Sequence, residues 1–330
     1  MTAFPYRFIA AFVLVCAVGG SVLALPSLLA KEVAQEQVSA SPAPFPVSVD
    51  PERKTIVENP AVDALFTGHS AAFTASAINA EGFFAWIAQA ITSIPGYALL
   101  GAADTRFVTI YPGYREEQVA GAFGKALGWS AADQKKFLSE AHSTAPTLSE
   151  GSFAPGTYVI QGHETMADVQ AMLDSRFDRT VRARYSTSTE AVVPLNEALT
   201  IASLLERETR DPNEMRLISG IIWNRLWNNM NLQIDATLQY AKGSPGPAAS
   251  WWPAVVPKDK YIKSPYNTYQ NPGLPPAPIA NPSVAAVLAA LNPKPTDCLF
   301  YFHDRYGELH CAPTYEEHVS LLKQYYGRGK

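Results

Sequence analysis

The chain has 330 residues, a net charge of −4 and only 17% charged residues. So mild a balance gives no electrostatic footprint for nucleic acid, and a nucleic-acid partner is excluded. Beyond the N-terminal segment, roughly 270 residues remain, which suits one large domain or two smaller ones.

Arg7 precedes an uncharged run of Ala, Val, Leu and Phe over residues 8–25. About 18 such residues are near the lower limit for crossing a bilayer. With Arg7 the only charge before it, the positive-inside bias keeps the N-terminus cytoplasmic. Residues 1–30 are therefore expected to be a cytoplasmic tip and a single transmembrane anchor. The rival reading is a cleaved signal peptide, with Ala24 and Ala30 near a cut; either way the body of the protein is exported. Residues 31–60 are rich in Ala, Ser, Pro, Val and Glu, the composition of a flexible tether.

Residues 61–147 are expected to form a small mixed module. Residues 83–91 look like a short buried helix, and residues 106–111 have a strand pattern. Pro112-Gly113 makes a turn, and Val119, Phe123 and Leu127 have the four-residue spacing of a helix over 115–127. A second helix is predicted over 131–141. A catalytic domain is expected from 148 to 330. It opens with a Gly- and Pro-shaped loop into a strand at Tyr158-Val159-Ile160, and a helix follows over 165–177. Next comes a long apolar helix over 194–209, ended by Asp211-Pro212. Another helix is predicted over 213–229. Gln233, Asp235, Thr237 and Gln239 alternate with apolar residues, as on one face of a strand. Residues 264–276 then place Tyr266, Asn267, Thr268 and Tyr269 on a proline-stiffened loop. Tyrosine rings stack on sugars, and amides bond hydroxyls. Cys298 and Cys311 flank a predicted hairpin with residues 304–307 at its turn. The two thiols could pair in an oxidising compartment, although a register offset of two would leave them diagonal. His303, His310 and His318 lie nearby, but the Cys/His spacing matches no familiar metal site.

The helix over 194–209 carries the sharpest feature, Glu206 and Glu208 in a run of apolar helix formers. A carboxyl without water tends to a raised pKa, which suits a general acid near neutral pH. At 100° per residue the two point about 200° apart and cannot share one face. Pattern alone does not choose between them, and both could be ion-paired, for instance with Arg207, Arg210 or Arg225.

Several motifs arrive in a distinctive order. They are Glu150-Gly151 with Pro155-Gly156-Thr157-Tyr158, Ala202-Ser203-Leu204-Leu205-Glu206-Arg207-Glu208-Thr209, and Asn224-Arg225-Leu226. Then follow residues 230–237, Tyr266-Asn267-Thr268-Tyr269, residues 273–279, and Thr314 with Glu317-His318. In these the chain resembles the MltG (YceG-like) family of endolytic lytic transglycosylases, which cut glycan strands of peptidoglycan. The resemblance covers about residues 106–327 and the N-terminal anchor, while residues 59–105 match nothing placeable.

The resemblance implies an α+β fold, with an N-terminal transmembrane helix, a LysM-like mixed module and a larger α+β catalytic domain. It makes Glu208, the second glutamate of Glu-x-Glu-Thr, the catalytic acid. It makes Gln233, Asp235, Thr237, Tyr266, Asn267, Thr268 and Tyr269 substrate-binding, and Glu150, Glu206, Asn224 and Arg225 structural at the site. It implies no metal and no cofactor. The implied partners are peptidoglycan glycan strands, the cytoplasmic membrane through one helix, and cell-wall synthases. The family usually has Asp where this chain has Gly156, so a loop bond is lost. Two rival functions are a hydrolytic muramidase using Glu208 with Asp235, and a membrane-anchored, non-enzymatic wall-binding protein.

Overall fold

A computed structural model of the chain describes residues 43–67, 105–144, 148–243 and 250–327. The expected membrane span at 8–25 and the expected helix at 83–91 lie outside the described residues. Among the described residues no helix is long and apolar enough to cross a membrane. The architecture is mixed α+β, and every strand pair among the described residues is antiparallel, in three separate two-stranded sheets.

Residues 43–60, expected as tether, are instead held on the body. A short hairpin, β1 (Val49–Asp50) with β2 (Thr55–Ile56), leads into α1 (Pro60–Thr67). Phe45, Val49, Val62 and Phe66 are buried in the main core. The Phe45 amide donates to the Arg184 carbonyl, and Ser48 bonds Asn292 at 2.7 Å. The apolar residues scattered among the prolines are what override the tether-like composition.

The small module is β3 (Thr105–Ile110), α2 (Glu116–Leu127), α3 (Ala131–Ser143) and β4 (Gly156–Gln161). β3 and β4 pair antiparallel, from Thr105 opposite Gln161 to Ile110 opposite Gly156. The expected boundary at residue 147 therefore falls inside this module, whose second strand comes after it. Val108 and Ile110 of β3, Val119 and Phe123 of α2, Phe137 of α3 and Ile160 of β4 form its core. Val169 and Leu173 of α4 (Met166–Thr180) close that core. Ser130 and Asp133 make a capping box at the start of α3, as Thr165 and Asp168 do for α4. Gly156 enters β4 at φ +139°, and an added Cβ would meet the Arg176 guanidinium at 2.0 Å. Arg176 thus occupies the space that a side chain at position 156 would need.

The larger body begins with a 3₁₀ turn (Arg182–Arg184) and α5 (Thr187–Val192). It continues with α6 (Leu195–Glu208), α7 (Pro212–Trp227), α8 (Asp235–Lys242) and a second 3₁₀ turn (Pro257–Tyr261). α9 (Val284–Leu291), the hairpin β5 (Phe300–His303) with β6 (Leu309–Ala312), and α10 (Tyr315–Tyr326) complete it. α6, α7 and α9 bury Ile201, Leu204, Leu205, Ile218, Ile222, Val287 and Leu291 together. Close approach is enforced at Gly220, where a Cβ would meet the Lys294 carbonyl oxygen at 2.4 Å.

The predicted strand through Asp235 and Thr237 is a helix, α8. Ile234 and Leu238 lie four apart and both are buried, so a helical period was hidden beneath the alternation. Asp235 occupies the first turn, where a negative charge is favourable. The Thr237 hydroxyl donates to the Ile234 carbonyl at 2.7 Å.

Candidate active site

α6 is buried continuously from Ala198 to Leu205, between an exposed first turn and a partly exposed last one. There the two glutamates part company. Glu206 Oε2 accepts from the Ser283 amide at 2.9 Å and the Ser283 hydroxyl at 2.6 Å. Ser283 is the N-cap of α9, so Glu206 fastens one helix to the next. Glu208 faces β5, where the Tyr301 hydroxyl donates to its Oε2 at 2.9 Å. Two of the three guanidinium groups that might have paired with the carboxylates are engaged elsewhere. Arg207 lies 3.9 Å over the Trp252 ring. Arg225 donates to the carbonyls of Leu299 and Leu232 and lies 5.6 Å over Phe300.

Burial is the largest influence on Glu208 and pushes its carboxyl up from the ordinary carboxylate value. The Tyr301 hydrogen bond pulls the other way, and the negative charge of Asp235 adds to the rise. His303 and Arg207 oppose it. Burial also raises Glu206, with the Ser283 bonds holding it back. A carboxyl whose pKa is raised, beside a second carboxylate, is the arrangement for donating a proton to a glycosidic oxygen.

Asp235 is exposed at the start of α8, and Tyr269 donates to its Oδ1 at 2.6 Å. Gln233, two residues earlier, is exposed with φ +51°, a left-handed conformation uncommon for a residue with a side chain. Such conformations gather at functional sites. Glu208, Asp235 and Tyr269 are thus one neighbourhood, with Gln233 on its adjoining turn.

Other residues expected to meet substrate turn inward. Asn267 is fully buried; its amide donates to the carbonyls of Lys260 and Ile262, and its oxygen accepts from the Tyr269 amide. The Thr237 and Thr268 hydroxyls lie 3.0 Å apart, and Thr268 Oγ1 accepts from the Ile234 amide. These three build the loop that presents Tyr269. Tyr266 packs against Tyr240, ring centroids 4.7 Å apart.

Asn224 donates to the carbonyls of Thr296 and Cys298, and with Arg225 it anchors the approach to β5. Cys298 and Cys311 are bonded, with Cα atoms 5.8 Å apart. Cys311 pairs in register with Tyr301, three positions along from Cys298. Bonding is feasible because Cys298 lies just outside the ladder, where the backbone can bend. Asp304, Glu308 and His310 bring ligand-type atoms within 4.8 Å of one another. Asp304 is already used in the turn, accepting from the Tyr306 and Glu308 amides, with His310 Nε2 at 3.2 Å.

Glu150 lies at the junction of the two modules. It accepts from the Glu116 amide at the start of α2 and from the Asn281 side chain at 2.9 Å. Asn281 also accepts from the Gly151 and Phe153 amides and donates to the Tyr114 carbonyl. Sequence reasoning singled out neither Tyr301 nor Asn281. Tyr301 lies in a run of aromatic strand residues that reads as core, and nothing local marks Asn281.

The YceG-like family matches this chain over residues 69–324, taking in much of the stretch that the sequence motifs left unplaced. The chain is 31% identical over 237 residues to an endolytic murein transglycosylase of Streptococcus pneumoniae serotype 2 (strain D39), covering 64% of this chain and 43% of that protein. It is 34% identical over 177 residues to the protein of the same name from Bacillus subtilis (strain 168), covering 53% and 48%. The chain therefore spans less than half the length of these curated relatives. The crystal structure of a YceG-like protein from Listeria monocytogenes superposes with a TM-score of 0.57 at 27% identity, covering 65% of this chain and 75% of that one.

Proposed function

This chain belongs to the YceG-like family, and on that premise we propose that it is an endolytic lytic transglycosylase of peptidoglycan. The observation that carries the reading is Glu208. Its carboxyl ends a buried helix, is raised by desolvation, and accepts a hydrogen bond from Tyr301 beside the Asp235–Tyr269 pair.

The chemistry needs one carboxyl. Protonated Glu208 donates to the oxygen linking N-acetylmuramic acid to N-acetylglucosamine, and positive charge develops at the muramic anomeric carbon. The 6-hydroxyl of the same sugar attacks that carbon. Ionised Glu208 takes the proton from the hydroxyl, so the carboxyl ends as it began. The product is a 1,6-anhydro sugar, and no water is consumed. An intramolecular hydroxyl has a high effective concentration, so acid, orientation and distortion are the protein's main contributions. Anchoring through residues 8–25, with the catalytic body outside the cytoplasmic membrane and cell-wall synthases as partners, belongs to the same proposal.

A hydrolytic muramidase is the second reading, since Asp235 bears electrostatically on Glu208 and could serve as the second carboxylate. Digestion of purified peptidoglycan, read by mass spectrometry, separates the two. The transglycosylase leaves ends one water lighter than hydrolysis does. Reducing ends alone would establish the muramidase, and binding without cleavage would leave a wall-binding protein.

A further inference from the structure

Resting on that reading of Glu208 as the acid, we propose that Tyr301 is its positioning residue. Its hydroxyl holds Oε2 of Glu208, so that Oε1 carries the proton to the glycosidic oxygen. In a protonated carboxyl the carbonyl oxygen is the better acceptor and the other oxygen bears the proton. A donor fixed on Oε2 therefore assigns the two roles.

The donor is well fixed. Tyr301 pairs in register with Cys311, whose sulfur is bonded to Cys298, two residues before the strand that carries Tyr301. Asn224 and Arg225 grip the carbonyls of Thr296, Cys298 and Leu299, just before Tyr301. α7 and β6 thus set the height of the hydroxyl against the end of α6.

The bond also changes through the reaction. It joins a neutral donor to a neutral acid in the ground state, and to a developing carboxylate as the proton leaves. Hydrogen bonds to a charged partner are shorter and stronger. Tyr301 therefore favours the transition state over the bound substrate, the condition for acting on kcat rather than KM. The same bond favours ionised Glu208, against burial and Asp235.

The other groups bearing on Glu208 are Asp235 of α8, His303 of β5, Arg207 of α6, Arg225 of α7 and the Tyr269 hydroxyl. All are kept in the tests. Because Glu208 works protonated, its rate falls as pH rises through its pKa, and the basic limb of the pH profile reports that value.

Anhydro-end formation on soluble glycan strands is measured against pH for the full chain. It is compared with Tyr301→Phe and with 3-fluorotyrosine, a stronger donor, placed at position 301 alone. Tyr301→Phe should lower kcat roughly ten- to a hundredfold, leave KM within about twofold, and move the basic limb to higher pH. Fluorotyrosine should move that limb to lower pH. A merely structural Tyr301 would lower activity without opposite displacements. Unmoved limbs in both variants overturn the proposal. Should Tyr301→Phe not fold, the fluorotyrosine protein decides alone. If the unsubstituted chain forms no anhydro ends, the function assigned above is wrong. Infrared titration of the Glu208 carboxyl, identified by its loss in Glu208→Gln, then tests the Tyr301 bond by itself. No shift between tyrosine and fluorotyrosine would refute it.

Discussion

Replacing Glu206 and Glu208 separately by glutamine should give opposite results, although they stand two residues apart on one helix. Glu208→Gln keeps the shape and an oxygen that can accept from Tyr301, but it cannot donate and regain a proton. Anhydro-end formation should vanish, because this carboxyl is the only acid in the scheme. Stability should be unchanged or slightly higher, since a carboxyl that burial already penalises has been made neutral. Glu206→Gln removes the charge that accepts from the amide and hydroxyl of Ser283 at the start of α9. Weakening two hydrogen bonds at the start of a helix costs about 1–2 kcal/mol. For a body of this size that corresponds to a fall in Tm of roughly 2–8 °C, with cleavage retained below the transition. Thermal unfolding by circular dichroism, beside mass spectrometry of digested peptidoglycan, reads both outcomes. Loss of cleavage in a folded Glu206→Gln, with wild-type cleavage in Glu208→Gln, would reverse the assignment. Activity in both would end the transglycosylase reading of this helix.

Three further outcomes are expected. Asn281→Ala removes four side-chain hydrogen bonds between the small module and the body. At about 1 kcal/mol each it should cost roughly 4 kcal/mol and speed hydrogen exchange at the Gly151 and Phe153 amides; unchanged exchange there would show that another contact joins the modules. Joint Cys298→Ser and Cys311→Ser opens a loop with a sequence separation of 13. It should cost about 3 kcal/mol on chain-entropy grounds and lower cleavage through Tyr301, whereas wild-type Tm and cleavage would show the hairpin to be self-sufficient. Glu150 is held well above the usual carboxylate range by burial, with Glu116 adding to it. Its contribution to stability is full below the ordinary value of 4.5 and is lost as pH climbs through the raised one. Glu150→Gln should therefore flatten part of the fall in stability between those two values, as urea unfolding at several pH values would measure; an equal slope in both proteins would count against it.

What could be read from the sequence was what local pattern encodes. Val119 and Phe123 placed α2, the apolar run before Glu206 placed α6, and Asp211-Pro212 placed the break before α7. The opposed directions of Glu206 and Glu208 followed from helix geometry alone. Reading failed where two periods overlapped, as at Ile234 and Leu238, whose shared burial on a helix also fits strand alternation. It failed again where composition averaged over a few decisive residues, as with Phe45 and Val49 among prolines. The roles of Tyr301 and Asn281 had no local signature. Tyr301 meets Glu208 across 93 positions, and Asn281 bonds partners 128 to 167 positions away.

Backbone dipoles help explain why one glutamate of the pair suits catalysis and the other structure. Glu208 is the last residue of α6, where unpaired carbonyls leave partial negative charge. That field disfavours ionisation, as burial and Asp235 also do. Glu206 reaches instead to Ser283, the N-cap of α9, where partial positive charge and two donors favour a carboxylate. Both carboxyls are buried, so desolvation alone would treat them alike. What separates them is which end of which helix each one meets, and the 200° turn between positions two apart decides that. Moving the acid by one residue along α6 would turn it about 100° away from Tyr301, so spacing along this helix fixes function as firmly as residue type does.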